Sequence, residues 1–142
     1  MIYTVLYVSK TLLEFPAGEA EVADIVAFSR SRNAGLEVTG ALISTGTYFA
    51  QLLEGPREAV EELMRSIDAD PRHMRIKTMR TAEEARRFAG WSMAYSGTAD
   101  YVDRQIAPLF SPLSASVTAH LALRLIALME EAVKLPPGAL PR

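Results

Sequence analysis

Apolar positions along the chain follow two spacings, one typical of strands and one typical of helices. Residues 2–7 are apolar, β-branched and aromatic, which predicts a first strand. Residues 18–33 are apolar on one face at helical spacing, which predicts an amphipathic helix. That helix is expected to end in the Asn-Ala-Gly segment at 33–35, because these residue types suit a left-handed helix terminus.

The middle of the chain predicts a hairpin followed by a second helix. Residues 36–44 and 48–53 flank a Thr-Gly-Thr turn, which is the pattern of two hairpin strands. A Gly-Pro pair at 55–56 then suits the start of a helix, which is expected to run to about Asp70. Its apolar residues recur at i, i+3, i+4 and i+7, namely at Val60, Leu63, Met64 and Ile67.

The last third of the chain changes from strands to helices. Residues 74–79 predict a fourth strand, and residues 88–95, which contain the single tryptophan, predict a fifth. The charged residues 81–87 between them are expected to form a loop or a brief helix. From residue 100 the pattern is helical, and residues 135–142 contain three prolines and are expected to fray.

The order of these elements predicts the fold class. A βαββαββ order is typical of an α+β, ferredoxin-like sheet with two helices on one face, and here a C-terminal helical extension follows. We therefore expect residues 1–97 to form one domain. Residues 98–142 are expected to form a helical tail that packs on the sheet.

Composition excludes several functions. The chain has 142 residues, a net charge of −2 and no cysteine, which rules out disulfides and thiolate chemistry. Its weak negative charge argues against nucleic-acid binding through a basic surface and against a polybasic membrane anchor. No apolar run is long enough to span a membrane and the N-terminus lacks signal-peptide features, so the cytoplasm is the expected compartment.

Two polar residues stand out because their neighbours are apolar. Tyr7 lies at the end of the first predicted strand, and Gln51 lies within the apolar third strand. A buried amide without partners costs roughly 1–3 kcal/mol, so a tyrosine hydroxyl, a backbone group or a ligand should face Gln51. A simple bond between Tyr7 and Gln51, with no ligand, would also meet this requirement.

Other candidate residues have structural explanations of their own. Asn33 can terminate a helix, His73 can be a surface or capping residue, and Trp91 and Met93 can be core packing on a short strand. The sequence has no phosphate-binding loop, dinucleotide fingerprint, zinc-protease motif or serine-nucleophile motif. Two histidines are too few for a histidine-rich metal site.

Six short motifs, taken together, resemble the BLUF family of blue-light sensors that use flavin. Their order and spacing fit that family from residue 2 to about residue 96, roughly two-thirds of the chain. The motifs are Leu6-Tyr7-Val8-Ser9, Ser29 with Asn33, Val38-Thr39-Gly40, Phe49-Ala50-Gln51-Leu52-Leu53-Glu54-Gly55, Asp70-Pro71-Arg72-His73 and Arg87-Phe88-Ala89-Gly90-Trp91-Ser92-Met93.

The resemblance implies a non-covalently bound flavin, FAD or alternatively FMN, inserted between the two helices. Ile25 and Ile67 match positions that sandwich the flavin ring. Asn33 matches the amide that hydrogen-bonds the C4 carbonyl and N3 edge, since an amide offers both a donor and an acceptor. Further matched contact positions are Ser29, Arg32, Asp70, Arg72 and His73.

The resemblance assigns the photochemistry to Tyr7 and Gln51. Tyr7 would give an electron and a proton to the excited flavin. Gln51 would then rearrange its hydrogen bonds to give a slightly red-shifted state. Trp91 and Met93 match a pair that shifts near Gln51 and passes the change to the last strand. We expect a sensor rather than an enzyme, which signals through a homo-oligomer or a separate downstream protein.

Two positions depart from the family pattern, and three other functions compete. Glu37 stands where many members have glycine or asparagine, and Arg32 occupies a position that varies in type. A hydrolase of the acylphosphatase kind would need an anion cradle after the first strand, which the sequence lacks. An RNA-binding sheet would need a basic surface, and a flavin-free interaction module would not need Tyr7, Gln51 and Asn33 together.

Overall fold

The computed structural model describes residues 1–14, 18–91, 94–97 and 100–133. The first two-thirds of the chain form five strands and two helices, and only helices and a 3₁₀ turn follow in the described residues. In chain order the elements are β1 (Ile2–Thr11), α1 (Glu19–Gly35), β2 (Thr39–Ser44), β3 (Tyr48–Gly55), α2 (Arg57–Asp68), β4 (His73–Glu84), β5 (Ala94–Gly97), α3 (Asp100–Ile106), a 3₁₀ turn (Ala107–Phe110) and α4 (Ala115–Val133).

The strands form one sheet in the order β4-β1-β3-β2-β5. The first four strands pair antiparallel, and β5 pairs parallel to β2. This arrangement confirms the α+β, ferredoxin-like fold class. Gly40 allows β2 and β3 to pair closely, because a Cβ atom at this position would lie 2.1 Å from the Leu52 carbonyl oxygen.

Each face of the sheet is covered by a different pair of helices. Alternate residues of a strand point to opposite faces, so Val5 and Leu53 pack against α1 and α2, whereas Leu6 and Leu52 pack against α3 and α4. The second face is closed by fully buried residues of the C-terminal helices, namely Val102, Ile106, Ala122, Ile126 and Met129. The predicted helical extension is therefore present and covers the sheet.

The prediction for the end of the first helix was wrong in detail. The helix continues through Asn33 to Gly35, and the residue with left-handed backbone is Glu37, with φ of 59°. Residues 36–38 form this turn, so β2 begins at Thr39 rather than at Leu36. A left-handed φ favours glycine or asparagine, which explains why many members of the family that the sequence resembles have one of these where Glu37 stands.

The predicted boundaries of the last two strands were also wrong. Residues 81–84 belong to β4 rather than to a loop or helix, because they pair with β1 from Val5 to Ile2. The fifth strand is Ala94–Gly97 rather than 88–95, since residues 88–91 turn through Gly90, with φ of 85°. The expected frayed segment 135–142 lies outside the described residues, and the boundary near residue 97 stays a prediction.

Candidate functional site

A cavity of about 450 Å³ opens between α1, α2 and the sheet. Its volume lies in the range of small-molecule and cofactor sites. The ten residues that the sequence matched to flavin contacts all line it. They are Tyr7, Ile25, Ser29, Arg32, Asn33, Gln51, Ile67, Asp70, Arg72 and His73.

Tyr7 and Gln51 form a hydrogen-bonded pair on the floor of the cavity. They are directly opposite each other on β1 and β3, so both side chains point to the same face. The Tyr7 hydroxyl donates to Oε1 of Gln51 at 2.5 Å. Both residues are buried, with 3% and 6% of their surface exposed. The hydroxyl proton therefore has a defined acceptor inside a largely dry site.

The surroundings keep Tyr7 in its protonated form. Burial raises the pKa of the Tyr7 hydroxyl far above its usual range, and the negative charges of Asp70 and Asp68 raise it further. Desolvation and nearby carboxylates both disfavour the phenolate. Tyr7 is consequently held as a neutral phenol.

Asn33 brings an amide to the edge of the cavity from the last turn of α1. Only 2% of its surface is exposed. Its backbone carbonyl accepts hydrogen bonds from the amides of Leu36 and Val38, which fixes the turn out of the helix. The Asn33 side chain lies in the cavity wall, where an amide can present a donor and an acceptor.

His73 connects three elements at one end of the cavity. Its Nε2–H donates to the Ile67 carbonyl at 2.7 Å, and Nδ1 lies 2.7 Å from the Ser9 hydroxyl. A carbonyl can only accept, so neutral His73 carries its proton on Nε2 and accepts from Ser9 at Nδ1. Both ring nitrogens therefore bond the protein, and His73 holds β1, α2 and the start of β4 together.

Charged residues at the mouth of the cavity are paired with one another. Asp70 and Arg72 form a bidentate ion pair, with Nη2 of Arg72 2.5 Å from Oδ2 of Asp70. The hydrogen bond from Arg72 holds the pKa of the Asp70 carboxyl below its usual range. Arg32 donates to the Ser66 hydroxyl at 3.1 Å, which links α1 to α2 across the opening.

Trp91 is not among the described residues that line the cavity. It packs with the apolar cluster on the opposite face of the sheet, next to α4. It is joined to β2 by a bond from the Gly40 amide to its carbonyl. Met93 lies outside the described residues. The role of these two residues in passing on a light signal stays a prediction.

The sequence analysis missed seven residues that also line the cavity. Two of them, Asp24 and Phe28, lie on α1. Helical spacing would have found Phe28 three residues after Ile25, and Asp24 four residues before Phe28. Alternation along the strands would have placed other lining residues on the same face of the sheet as Gln51 and Val5. The complete set is Asp24, Phe28, Leu42, Phe49, Leu53, Leu63 and Ser66.

The chemistry of the lining fits a flavin ring. Apolar side chains of α1 and α2, such as Ile25 and Ile67, can contact the two faces of a planar ring. Asn33 and Gln51 supply amides that could hydrogen-bond the carbonyl and imide groups of such a ring. Among the described residues no group of three or more histidine, aspartate or glutamate side chains is arranged to hold a metal ion.

Comparison with known proteins identifies the family. The profile of the BLUF family, described as sensors of blue-light using FAD, matches residues 2–94. The chain therefore belongs to the BLUF family, a class of blue-light flavin sensors. The blue light- and temperature-regulated antirepressor BluF of Escherichia coli (strain K12) is 38% identical over 89 residues, covering 62% of this chain and 22% of that protein.

A second relative shows how much of each protein the likeness covers. The photoactivated adenylate cyclase subunit beta of Euglena longa is 33% identical over 92 residues, covering 63% of this chain and 10% of that protein. The chain thus spans 22% or less of the length of these two curated relatives. The likeness to them is a likeness of the sensor region.

Solved structures extend the likeness to nearly the whole chain. The dark-state structure of the BLUF protein BlrB superimposes with a TM-score of 0.67 at 37% identity, covering 89% of this chain and 96% of that one. The photo-activated state of BlsA gives a TM-score of 0.73 at 24% identity, covering 96% and 97%, and supports the fold alone. Among the described residues no helix has the length and apolar character needed to cross a membrane.

Proposed function

We propose that this chain is a blue-light photoreceptor that binds FAD in the cavity between α1 and α2 and acts as a sensor without enzymatic activity of its own. The observation that carries this proposal is the Tyr7–Gln51 hydrogen bond in the floor of an apolar cavity. A neutral tyrosine bonded to a rotatable amide is the arrangement that a light-driven proton-coupled rearrangement needs. FMN is the alternative cofactor, because the ring contacts would be common to both flavins.

The flavin, when bound, would supply light absorption and an excited ring that accepts an electron. Tyr7 would donate that electron. Loss of the electron would make its hydroxyl strongly acidic, and Oε1 of Gln51, which accepts the hydroxyl hydrogen bond at 2.5 Å, would be the first group on the path of the proton toward the flavin. When the electron returns, the proton returns to the hydroxyl of Tyr7. The amide of Gln51 is then left in a new hydrogen-bonding arrangement, which is the stored signal.

The remaining lining residues would hold the cofactor. Ile25 and Ile67 would pack on the ring faces, and Asn33 would bond its polar edge. Ser29, Arg32 and Arg72 lie toward the opening, where the polar side chain of the flavin would leave the cavity. His73 would act indirectly, because its ring nitrogens bond Ser9 and Ile67 and fix the end of α2 that carries the cavity wall.

The output is proposed to pass through protein contacts on the other face of the sheet. Residues 1–97 would form the sensor, and residues 98–142 would form the helical tail that responds to it. A homo-oligomer or a separate downstream protein in the cytoplasm would receive the signal. The cavity and α4 are on opposite faces of one sheet, so a change at Gln51 can reach α4 only through the strands.

The test is an absorption spectrum of the purified protein before and after blue light. We expect a flavin spectrum that shifts slightly to the red and recovers in darkness. Gln51→Leu should bind flavin and lose the shift, because leucine has no amide to rearrange. Tyr7→Phe should also lose it. Tyr48→Phe is the matched control, since Tyr48 stacks on Phe110 on the opposite side of the sheet.

The outcomes separate the competing functions. A colourless protein that takes up no added FAD would overturn the photoreceptor proposal and favour an interaction module without flavin. A bound flavin without a light-induced shift would keep the cavity assignment and refute the Tyr7–Gln51 mechanism. A normal shift in Gln51→Leu would refute that mechanism in the same way.

A further inference from the structure

A carboxylate that the proposed photochemistry does not use is completely buried at the end of β3. Glu54 has 0% of its surface exposed. It lies three residues after Gln51 on the same strand, and alternation points its side chain to the opposite face, toward the C-terminal helices. A buried carboxylate is costly unless hydrogen bonds compensate for the lost water.

The chain itself satisfies this carboxylate. Oε1 of Glu54 accepts from the backbone amide of Arg87 at 2.8 Å, and Oε2 accepts from the amide of Phe88 at 2.8 Å. The Thr39 hydroxyl donates to Oε2 at 2.7 Å. Two successive backbone amides aimed at one carboxylate form a small anion-binding site, and bonds to a charged acceptor are strong. We call this arrangement of Thr39, Glu54, Arg87 and Phe88 the Glu54 clasp.

Arg86 closes the Glu54 clasp from the outside. Its guanidinium donates to the Thr39 hydroxyl at 2.8 Å and to the Glu54 carbonyl at 3.2 Å. It also donates to the carbonyl of Glu37, the residue with left-handed backbone, at 2.7 Å. The ends of β2 and β3 are thereby tied to the segment that follows β4.

The segment held by the clasp leads directly to Trp91 and to α4. Phe88 has 1% of its surface exposed and packs in the core beneath α4. The amide of Trp91 bonds the Phe88 carbonyl at 3.0 Å. Arg87 forms ion pairs with Glu84 of β4 and with Glu130 of α4, at 3.2 and 3.3 Å. One carboxylate on β3 therefore fixes the position of residues 86–91 against both the sheet and the last helix.

We propose that Glu54 is a positioning residue that couples β3 to residues 86–91 and to α4, so that a hydrogen-bond change at Gln51 alters the environment of Trp91. This inference rests on the proposed photoreceptor function and adds the residue that carries its signal across the sheet. Light would loosen or shift the amides of Arg87 and Phe88 relative to the carboxylate. Without the carboxylate, the change at Gln51 would remain local to the cavity.

The test separates the flavin response from the response of the segment. The absorption shift reports on Tyr7 and Gln51. Fluorescence of Trp91, the single tryptophan, and hydrogen exchange of the Arg87 and Phe88 amides report on the clasp.

In the holoprotein of Glu54→Gln we expect a normal red shift, because the cavity is untouched. Glutamine has only one oxygen, so it can accept from only one of the amides of residues 87 and 88. The amide that loses its acceptor should exchange at least about tenfold faster in darkness. Most of the light-induced change in Trp91 emission should disappear.

Matched variants keep the proposal decisive even if Glu54→Gln does not fold. Thr39→Val is the test variant, because it removes one hydrogen bond to the carboxylate. Thr4→Val is the control: Thr39 on β2 and Thr4 on β1 are both paired with Glu54, one from each neighbouring strand. The Thr4 hydroxyl has no hydrogen-bond partner among the described residues, so its loss should leave the light response of Trp91 unchanged. Thr39→Val should reduce that response while keeping the red shift.

Three results would overturn the proposal. The first is a light-induced change in Trp91 emission in Glu54→Gln that is as large as in the wild type. If Glu54→Gln does not bind FAD, the same result in Thr39→Val would overturn the proposal. The second is equal loss in Thr4→Val and Thr39→Val, which would indicate general destabilisation. The third is a wild-type protein that shows the red shift but no change at residues 86–91. Absence of the red shift in the wild type would instead refute the proposed function itself.

Discussion

The two faces of the sheet are built from the same strands and yet serve different purposes. The face toward α1 and α2 keeps a cavity of about 450 Å³ and exposes to it a tyrosine, two amides and a histidine. The face toward α3 and α4 is filled by aliphatic and aromatic side chains. Alternation along β3 produces both, because Gln51 faces the cavity while Ala50 and Leu52 face the C-terminal helices.

The difference shows how stability and responsiveness can be separated in one small domain. Close packing on the α4 face supplies the burial that holds the sheet together. The cavity face has a buried apolar cluster of its own but also leaves a cavity with polar groups that a ligand can engage. The comparison predicts that truncation of apolar side chains on the α4 face mainly lowers stability, whereas substitution of the polar groups on the cavity face mainly changes cofactor binding and light response.

The largest effect on stability is expected from truncation on the α4 face. Ile126→Ala removes a side chain that is 1% exposed and should lower the free energy of unfolding by about 2–5 kcal/mol, because a cavity remains. Leu123→Ala on the same helix is the control, since Leu123 is 48% exposed and should cost less than about 0.5 kcal/mol. Urea unfolding measures both. Equal losses in the two variants would contradict the assignment of α4 to the core.

A smaller effect is expected on the cavity face from Asn33→Ala. Loss of the buried amide should weaken FAD binding about tenfold to a hundredfold, because one to two hydrogen bonds to the ring edge disappear. Titration of the apoprotein with FAD measures this change. Ser31→Ala, at an exposed position of the same helix, should bind FAD normally. An unchanged affinity in Asn33→Ala would remove this residue from the proposed flavin contacts.

The turn that joins α1 to β2 offers a stabilising substitution. Glu37→Gly should raise the free energy of unfolding by up to about 1 kcal/mol, because glycine adopts the left-handed φ of 59° without a Cβ penalty. The same change at Glu62, in the exposed middle of α2, should instead destabilise the protein by about 1 kcal/mol. Thermal unfolding compares the two variants. Destabilisation by Glu37→Gly would mean that strain at this turn is not a significant cost.

The smallest effect concerns the ion pair at the mouth of the cavity. Arg72 lowers the pKa of Asp70, so the ionised carboxylate favours the folded state. Its contribution is present above the ordinary aspartate pKa of about 3.9 and is lost as the pH falls through the lower folded value. Asp70→Asn should therefore cost less than about 1 kcal/mol at neutral pH, since the pair is partly exposed.

The pH dependence of this cost is the measurement that checks the pair. The difference in unfolding free energy between wild type and Asp70→Asn should shrink in acid below about pH 4. Asp68→Asn serves as a control at a nearby exposed carboxylate. A difference that stays constant from neutral to acidic pH would contradict the role given to Arg72.

The sequence by itself determined the order of elements, the fold class and ten of the residues that line the cavity. Hydrophobic spacing is a local property, so it located β1, both helices of the first face and the hairpin strands. The short motifs then identified Tyr7, Asn33 and Gln51. Helical spacing from Ile25 contained enough information to add Phe28, and from Phe28 to add Asp24, although it was not used for that purpose.

Only the tertiary structure decided how far strands extend and which groups meet across the sheet. Residues 81–84 are charged and look like a loop, but pairing with β1 makes them strand. The two bonds of the His73 ring and the contacts of Glu54 with residues 87 and 88 join positions from six to 64 apart in the chain. Such contacts depend on strand register and burial, which emerge only when the whole sheet assembles, because a local pattern carries no record of its distant partners.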